Sequence, residues 1–141
     1  KNTDGDPLIK SKIKQKQREI SQKRMMQNVP GSDVVLRNPT HFAVALKYFP
    51  KHFLAPVVVA KGKDYKALKI IEIAENSGVT VHEDRPLARM LYETVAIGTM
   101  IPIELYSAIA VVYTEILHVS DMDMEESVET QNKLARDVIL P

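Results

Sequence analysis

The spacing of apolar residues along the chain switches between two periods, and the switches mark its elements. Ser32 to Arg37 and Phe42 to Tyr48 are rich in β-branched, aromatic and aliphatic residues with partial period-two alternation, so both read as strands. Pro56 to Ala60 is a short apolar run bounded by Lys61 and Gly62, as expected for a buried strand. The period then lengthens: Tyr65, Leu68, Ile71 and Ala74/Glu75 step by three and four, and Ile70 and Ile73 broaden that face. Asp64 is placed to cap this helix and Gly78 to stop it. Val79 to His82 reads as another strand. Strand, helix, strand is a βαβ unit, so its two strands are expected to be parallel with a right-handed crossover.

Asp84 and Pro86 then open a helix, as cap and first-turn proline. Leu87, Met90, Leu91 and Val95 give it an apolar stripe before Gly98 ends it. Pro102 opens a last helix with a core face of Leu105, Ile109, Val112 and Ile116. At the other end of the chain, Lys10 to Gln27 holds few apolar positions (Ile13, Ile20, Met25 and Met26) and no glycine or proline. It reads as a solvated helix, broken by Val29-Pro30-Gly31. From Val119 the periodicity dissolves, and a mobile tail is expected in which Leu134 to Leu140 forms a short docked piece. The predicted fold is α/β: a small mixed sheet of about four strands flanked by about four helices, with a long N-terminal linker helix.

Composition narrows the class. The 141 residues are enough for one domain with a real core, and 45% hydrophobic with 26% charged is average for a globular protein. Zero cysteines exclude a disulfide framework and cysteine metal sites. No apolar run approaches the ~20 residues that span a bilayer, and no signal peptide is visible. The first residue is Lys1, as expected of a piece of a longer protein. Charge divides the chain into three parts. Residues 1–28 carry eight Lys or Arg against three acids, residues 29–118 nine of each, and residues 119–141 two against six. The expected organisation is a basic linker helix (1–28), an α/β domain (29–118) and an acidic tail (119–141).

Candidate chemistry centres on Asn38-Pro39-Thr40-His41, which joins the first two predicted strands. An asparagine ordinarily degrades when the next backbone N–H attacks its side-chain amide. Proline has no N–H, so only the reverse attack remains: the Asn38 amide nitrogen on its own main-chain carbonyl. That closes a succinimide and expels Pro39 as a new N-terminus. Asn-Pro is also a common turn opener. The flanking strands, however, hold the motif at both ends, where a scaffold can impose an attack-ready conformation. Thr40 and His41 add a hydroxyl and an imidazole for hydrogen bonding and general-base work.

Other constellations are weaker. His41, His52, His82 and His118 are scattered without ligand spacing, so no metal is expected. Lys61-Gly62-Lys63 lacks the spacing of a phosphate loop, and no cofactor is expected. Nothing places Ser107 with His118. Arg85 and Arg89 stand four apart, either as a grip on a partner's carboxylate or as a solvated face. Tyr65, Tyr92, Tyr106 and Tyr113 read as core or half-buried residues. A multiple-turnover enzyme is not indicated.

Val34-Val35 before the tetrapeptide and Phe42-Ala43-Val44-Ala45-Leu46-Lys47-Tyr48 after it resemble the cytoplasmic domain of the FlhB/YscU type III secretion switch proteins. The likeness continues through Ala55-Pro56-Val57-Val58-Val59-Ala60-Lys61-Gly62, Arg85-Pro86-Leu87-Ala88-Arg89 and Leu91-Tyr92. It extends over Gly98-Thr99-Met100-Ile101-Pro102 and Leu105-Tyr106, and upstream over Gly5-Asp6-Pro7 and Met25-Met26. It spans residues 4–117 and looks closer to the flagellar branch than to the injectisome branch.

This resemblance implies a monomeric cytoplasmic module beside the bacterial inner membrane, its parent anchored by a membrane-embedded N-terminal domain. It implies one self-cleavage between Asn38 and Pro39, a single turnover, and a change in accepted export substrates from rod-and-hook to filament type. Implied partners are other export-gate components, export substrates and a hook-length control protein, with no nucleic acid. It also implies a substrate-docking patch at Ala55, Pro56, Ala110 and Tyr113. The alternative reading is an uncleaved α/β binding module whose basic leader contacts anionic membrane or nucleic acid.

Overall fold

The structure, a computed structural model, describes residues 6–39 and 41–119, the side chains of His118 and Val119 apart. The chain divides into two compact units, Lys1–Pro102 and Ile103–Pro141. In the first, helix α1 (Pro7–Gln27) and a 3-10 turn (Val29–Gly31) lead into strands β1 (Val34–Asn38), β2 (Phe42–Lys47) and β3 (Val57–Lys63). Helix α2 (Tyr65–Asn76), strand β4 (Thr80–Glu83) and helix α3 (Arg85–Thr94) follow. The second unit holds a 3-10 turn (Ile103–Leu105) and helix α4 (Tyr106–Val119).

Helix α1 begins three residues earlier than its apolar spacing suggests, because Asp6 caps it and Pro7 occupies its first turn. The Asp6 carboxylate accepts from the Leu8 N–H at 2.9 Å. Most of the helix is exposed, and only its last turn is anchored, through the buried Met25.

The sheet is mixed, in the order β3-β2-β1-β4. β1 is antiparallel to β2, β2 is antiparallel to β3, and β1 is parallel to β4. It follows that β3 and β4 run the same way, as the βαβ pattern requires, but at opposite edges of the sheet. Alternation along the strands feeds two cores. Val35, Ala43, Ala45 and Ala60 pack against Ala67, Ile70, Ile71 and Ala74 of α2. Val34, Leu36, Val44 and Leu46 are equally buried on the other face, where α3 packs on β1 and β2 through Leu87, Ala88 and Leu91. The outer edge of β3 is covered by 98–101: Val58 donates to Thr99 O at 3.0 Å, and Gly98 and Ile101 donate to Val58 O and Pro56 O.

Two helix faces differ from expectation. Tyr65 and Leu68 are exposed, because α2 turns Ala67, Ile70, Ile71 and Ala74 to the sheet. Met90 is exposed for the same reason: Leu87, Ala88 and Leu91 already fill the stripe of α3 that meets the sheet. In the second unit Leu105, Ile109 and Val112 are buried, Ile116 is half-buried, and the helix is preceded by the 3-10 turn. Residues 120–141, most of the predicted acidic tail, lie outside the described residues.

Gly62 is required where β3 meets α2. A Cβ there would lie 2.7 Å from Lys66 Cβ and 3.1 Å from the Lys66 carbonyl carbon. Gly62→Ala is expected to lower stability by about 1–3 kcal/mol through overpacking. Urea unfolding in an Asn38→Ala background, where the chain stays in one piece, checks this.

Candidate functional site

β1 and β2 are joined by three residues, and the ladder on either side of that loop is complete. Asn38 pairs with Phe42, Arg37 with Ala43 and Leu36 with Val44. Pro39 follows Asn38 directly, where its fixed φ suits the second position of a turn. The backbone N–H of His41 donates to the carbonyl oxygen of Asn38 at 3.1 Å, closing the turn in an i to i+3 bond. That oxygen belongs to the bond between Asn38 and Pro39. A donor aimed at it withdraws electron density from the carbonyl carbon and is placed to hold the negative charge that grows during attack. Asn38 and Pro39 are half-buried, His41 is exposed, and Thr40 lies outside the described residues.

The base of the loop is fastened from three sides. Phe42 lies on the α3 side of the sheet, its ring centroid 4.9 Å from that of Tyr92. Lys61 reaches across the same face, donating to the carbonyls of Tyr92 and Val95 at 2.9 Å each and lying over the Tyr92 ring. Its charge thus sits on the last carbonyls of α3, where the helix dipole favours a cation. On the other flank the Asp84 N–H donates to Arg37 O at 3.1 Å, and Arg37 Nε lies 3.9 Å from Glu83 Oε1. A loop held this way cannot relax by fraying at its ends.

The third support was not legible in the sequence. Asp64, expected to cap α2, makes no side-chain cap bond. Its N–H donates to His41 O at 2.9 Å, and its carboxylate Oδ1 lies 3.6 Å from His41 Nδ1. Its φ of 54° and ψ of −119° make it the non-glycine residue with positive φ among those described. Such a conformation costs about 1–3 kcal/mol and persists only where surroundings enforce it.

The residues expected to form a docking patch differ in exposure. Ala55 is 4% exposed, Pro56 is half-buried with its carbonyl taken by Ile101, and the neighbouring Leu54 is well exposed. In the second unit Ala110 is exposed and Tyr113 half-buried on α4. Arg85 and Arg89 turn to acids of their own chain, Glu83 at 4.0 Å and Glu93 at 3.0 Å. Tyr65 is exposed, whereas Tyr92, Tyr106 and Tyr113 are half-buried. Among the described residues no three His, Asp or Glu converge as metal ligands would, and no helix is long and apolar enough to cross a membrane.

Residues 1–116 match the model of the FlhB HrpN YscU SpaS family. The chain is 53% identical over 110 residues to the flagellar biosynthetic protein FlhB of Bacillus subtilis, covering 78% of this chain and 31% of that protein. Against the FlhB of Salmonella typhimurium identity is 49% over 110 residues, 78% of this chain and 29% of the relative. The chain therefore spans about a third of the length of these relatives. The crystal structure of the cytoplasmic domain of FlhB from Shewanella putrefaciens superposes with a TM-score of 0.65 at 42% identity, over 67% of this chain and 73% of that one. An EscU C-terminal domain superposes with a TM-score of 0.62 at 36% identity, over 70% of this chain and 96% of that one. A match over most of the chain, carried by a shared four-stranded mixed sheet, makes this protein a member of the FlhB HrpN YscU SpaS family.

Proposed function

We propose that this chain is the cytoplasmic part of a flagellar export-apparatus protein and cleaves itself once between Asn38 and Pro39. The observation that carries the reading is the His41 N–H on the Asn38 carbonyl oxygen at 3.1 Å, in a loop whose strands are fully paired. Attack by Asn38 Nδ2 forms a bond to the Asn38 carbonyl carbon, and negative charge collects on the oxygen that the His41 N–H already binds. The amide must lose a proton, and the Pro39 nitrogen must gain one to leave. His41 carries an imidazole able to accept and return it, and Thr40 carries a hydroxyl in the same loop. Water later opens the succinimide. EscU C-terminal domains have been solved with alanine in place of an asparagine, of the proline after it and of a histidine two residues beyond. This is the spacing of Asn38, Pro39 and His41.

The break leaves the fold standing, because β1 and β2 remain paired and packed between α2 and α3. A constrained loop becomes two free ends beside α2 and α3. That local change is the switch: export shifts from rod-and-hook to filament substrates at the cytoplasmic face of the inner membrane. The partners are other export-gate components, the substrates themselves and a hook-length control protein. Candidate substrate contacts are Pro56 beside the buried Ala55 in the first unit and, separately, Ala110 and Tyr113 in the second.

An intact mass of the denatured protein tests the reading. Pieces of 38 and 103 residues are expected, while the native sample stays one particle of full mass. A single uncut chain after days at neutral pH would overturn it and leave a binding module whose basic α1 is its notable surface.

A further inference from the structure

The link between β3 and α2 is a single residue, Asp64, and it meets the loop through both backbone and side chain. Its N–H holds the carbonyl of His41 at 2.9 Å, and its Oδ1 lies 3.6 Å from His41 Nδ1. The N–H of the same histidine holds Asn38 O at 3.1 Å, so one chain of contacts runs from Asp64 through His41 to the carbonyl under attack. An aspartate ahead of a helix normally turns its carboxylate onto the first free N–H groups. Asp64 forgoes that bond, adopts a φ of 54°, and presents its carboxylate to His41 instead.

We propose that Asp64 is a positioning residue for self-cleavage, orienting the imidazole and backbone of His41 toward Asn38. The proposal rests on the cleavage reading of Asn38 and Pro39. A carboxylate beside Nδ1 favours the tautomer with its proton there and leaves Nε2 as the basic nitrogen. His41 then moves the proton from the Asn38 amide to the Pro39 nitrogen, and Asp64 exchanges no proton in the step. No proton is gained or lost overall. At 3.6 Å the contact is longer than a hydrogen bond, and the two side chains are 63% and 65% exposed, so water screens it and the effect is modest.

The test compares cleavage rates after a pulse of cell-free synthesis, read by denaturing mass spectrometry. Asp64→Gly removes the carboxylate, keeps the N–H to His41 and accommodates the positive φ. It is expected to cleave about two- to fivefold more slowly than the parent with no loss of thermal stability, and Asp64→Asn to fall between. In a His41→Ala background Asp64→Gly should cause no further slowing. Nitrogen NMR of the imidazole in the uncleavable Asn38→Ala protein should show His41 losing its Nδ1-protonated tautomer when Asp64 becomes glycine. A cleaving parent matched in rate by Asp64→Gly overturns the proposal, as does equal slowing with and without the His41 imidazole. A parent that never cleaves overturns the cleavage reading itself, and the proposal with it.

Discussion

Asn38→Ala is expected to leave one 141-residue chain under denaturing conditions that split the parent into 38- and 103-residue pieces. The variant is expected to keep the β1–β2 register, since the ladder in which Asn38 pairs with Phe42 is built from backbone groups. It also keeps the His41 N–H on the residue-38 carbonyl. What it lacks is the attacking nitrogen, and a polarised carbonyl without a nucleophile is an ordinary peptide bond. His41→Ala separates the two functions of the histidine, because alanine retains the backbone donor and loses the imidazole. A positioned general base contributes about 10²–10⁴-fold in rate. Here the imidazole is exposed and water can substitute for it, so slowing at or below the lower figure is expected, with cleavage still reaching completion. Equal cleavage of parent and Asn38→Ala, measured by intact mass over hours at neutral pH, would remove Asn38 from the mechanism.

The loop was legible in the sequence because everything that defines it is local. Val34 and Val35 alternate into β1, Phe42 to Leu46 into β2, and a proline between them cannot continue a ladder. The buried faces were only partly legible. On α2 and α3 the apolar positions outnumber those the sheet can cover, and spacing alone does not say that Tyr65, Leu68 and Met90 are the surplus. The start of α1 is marked by its cap Asp6 and first-turn Pro7 and not by apolar spacing. Asp64 illustrates a different limit. Its neighbours predict a cap, and nothing nearby in the sequence says that a histidine in a distant loop competes for its N–H and carboxylate. Pairing of β2 with β3 brings the two together, with Phe42 opposite Lys63, so only the three-dimensional register exposes the contact.

Pro39→Ala is expected to stop the cut by changing which nitrogen attacks which carbonyl. Alanine restores a backbone N–H at position 39, and that nitrogen can reach the Asn38 side-chain amide. The ring it closes leaves the main chain intact and releases ammonia, and water then opens the ring, so the final mass exceeds the starting mass by the difference between an acid and an amide. Proline also fixes φ at the second position of the turn. Without it the loop samples conformations in which the His41 N–H no longer meets Asn38 O, and misplacement of that kind costs on the order of 10²-fold in rate. Both effects act in the same direction, so the uncut chain should dominate over times in which the parent is fully cleaved. A deamidated, uncut product identified by peptide mapping would show that proline directs the chemistry of Asn38. Cleavage at the parent's rate would instead mean that the scaffold alone, through β1, β2 and His41, selects the main-chain carbonyl.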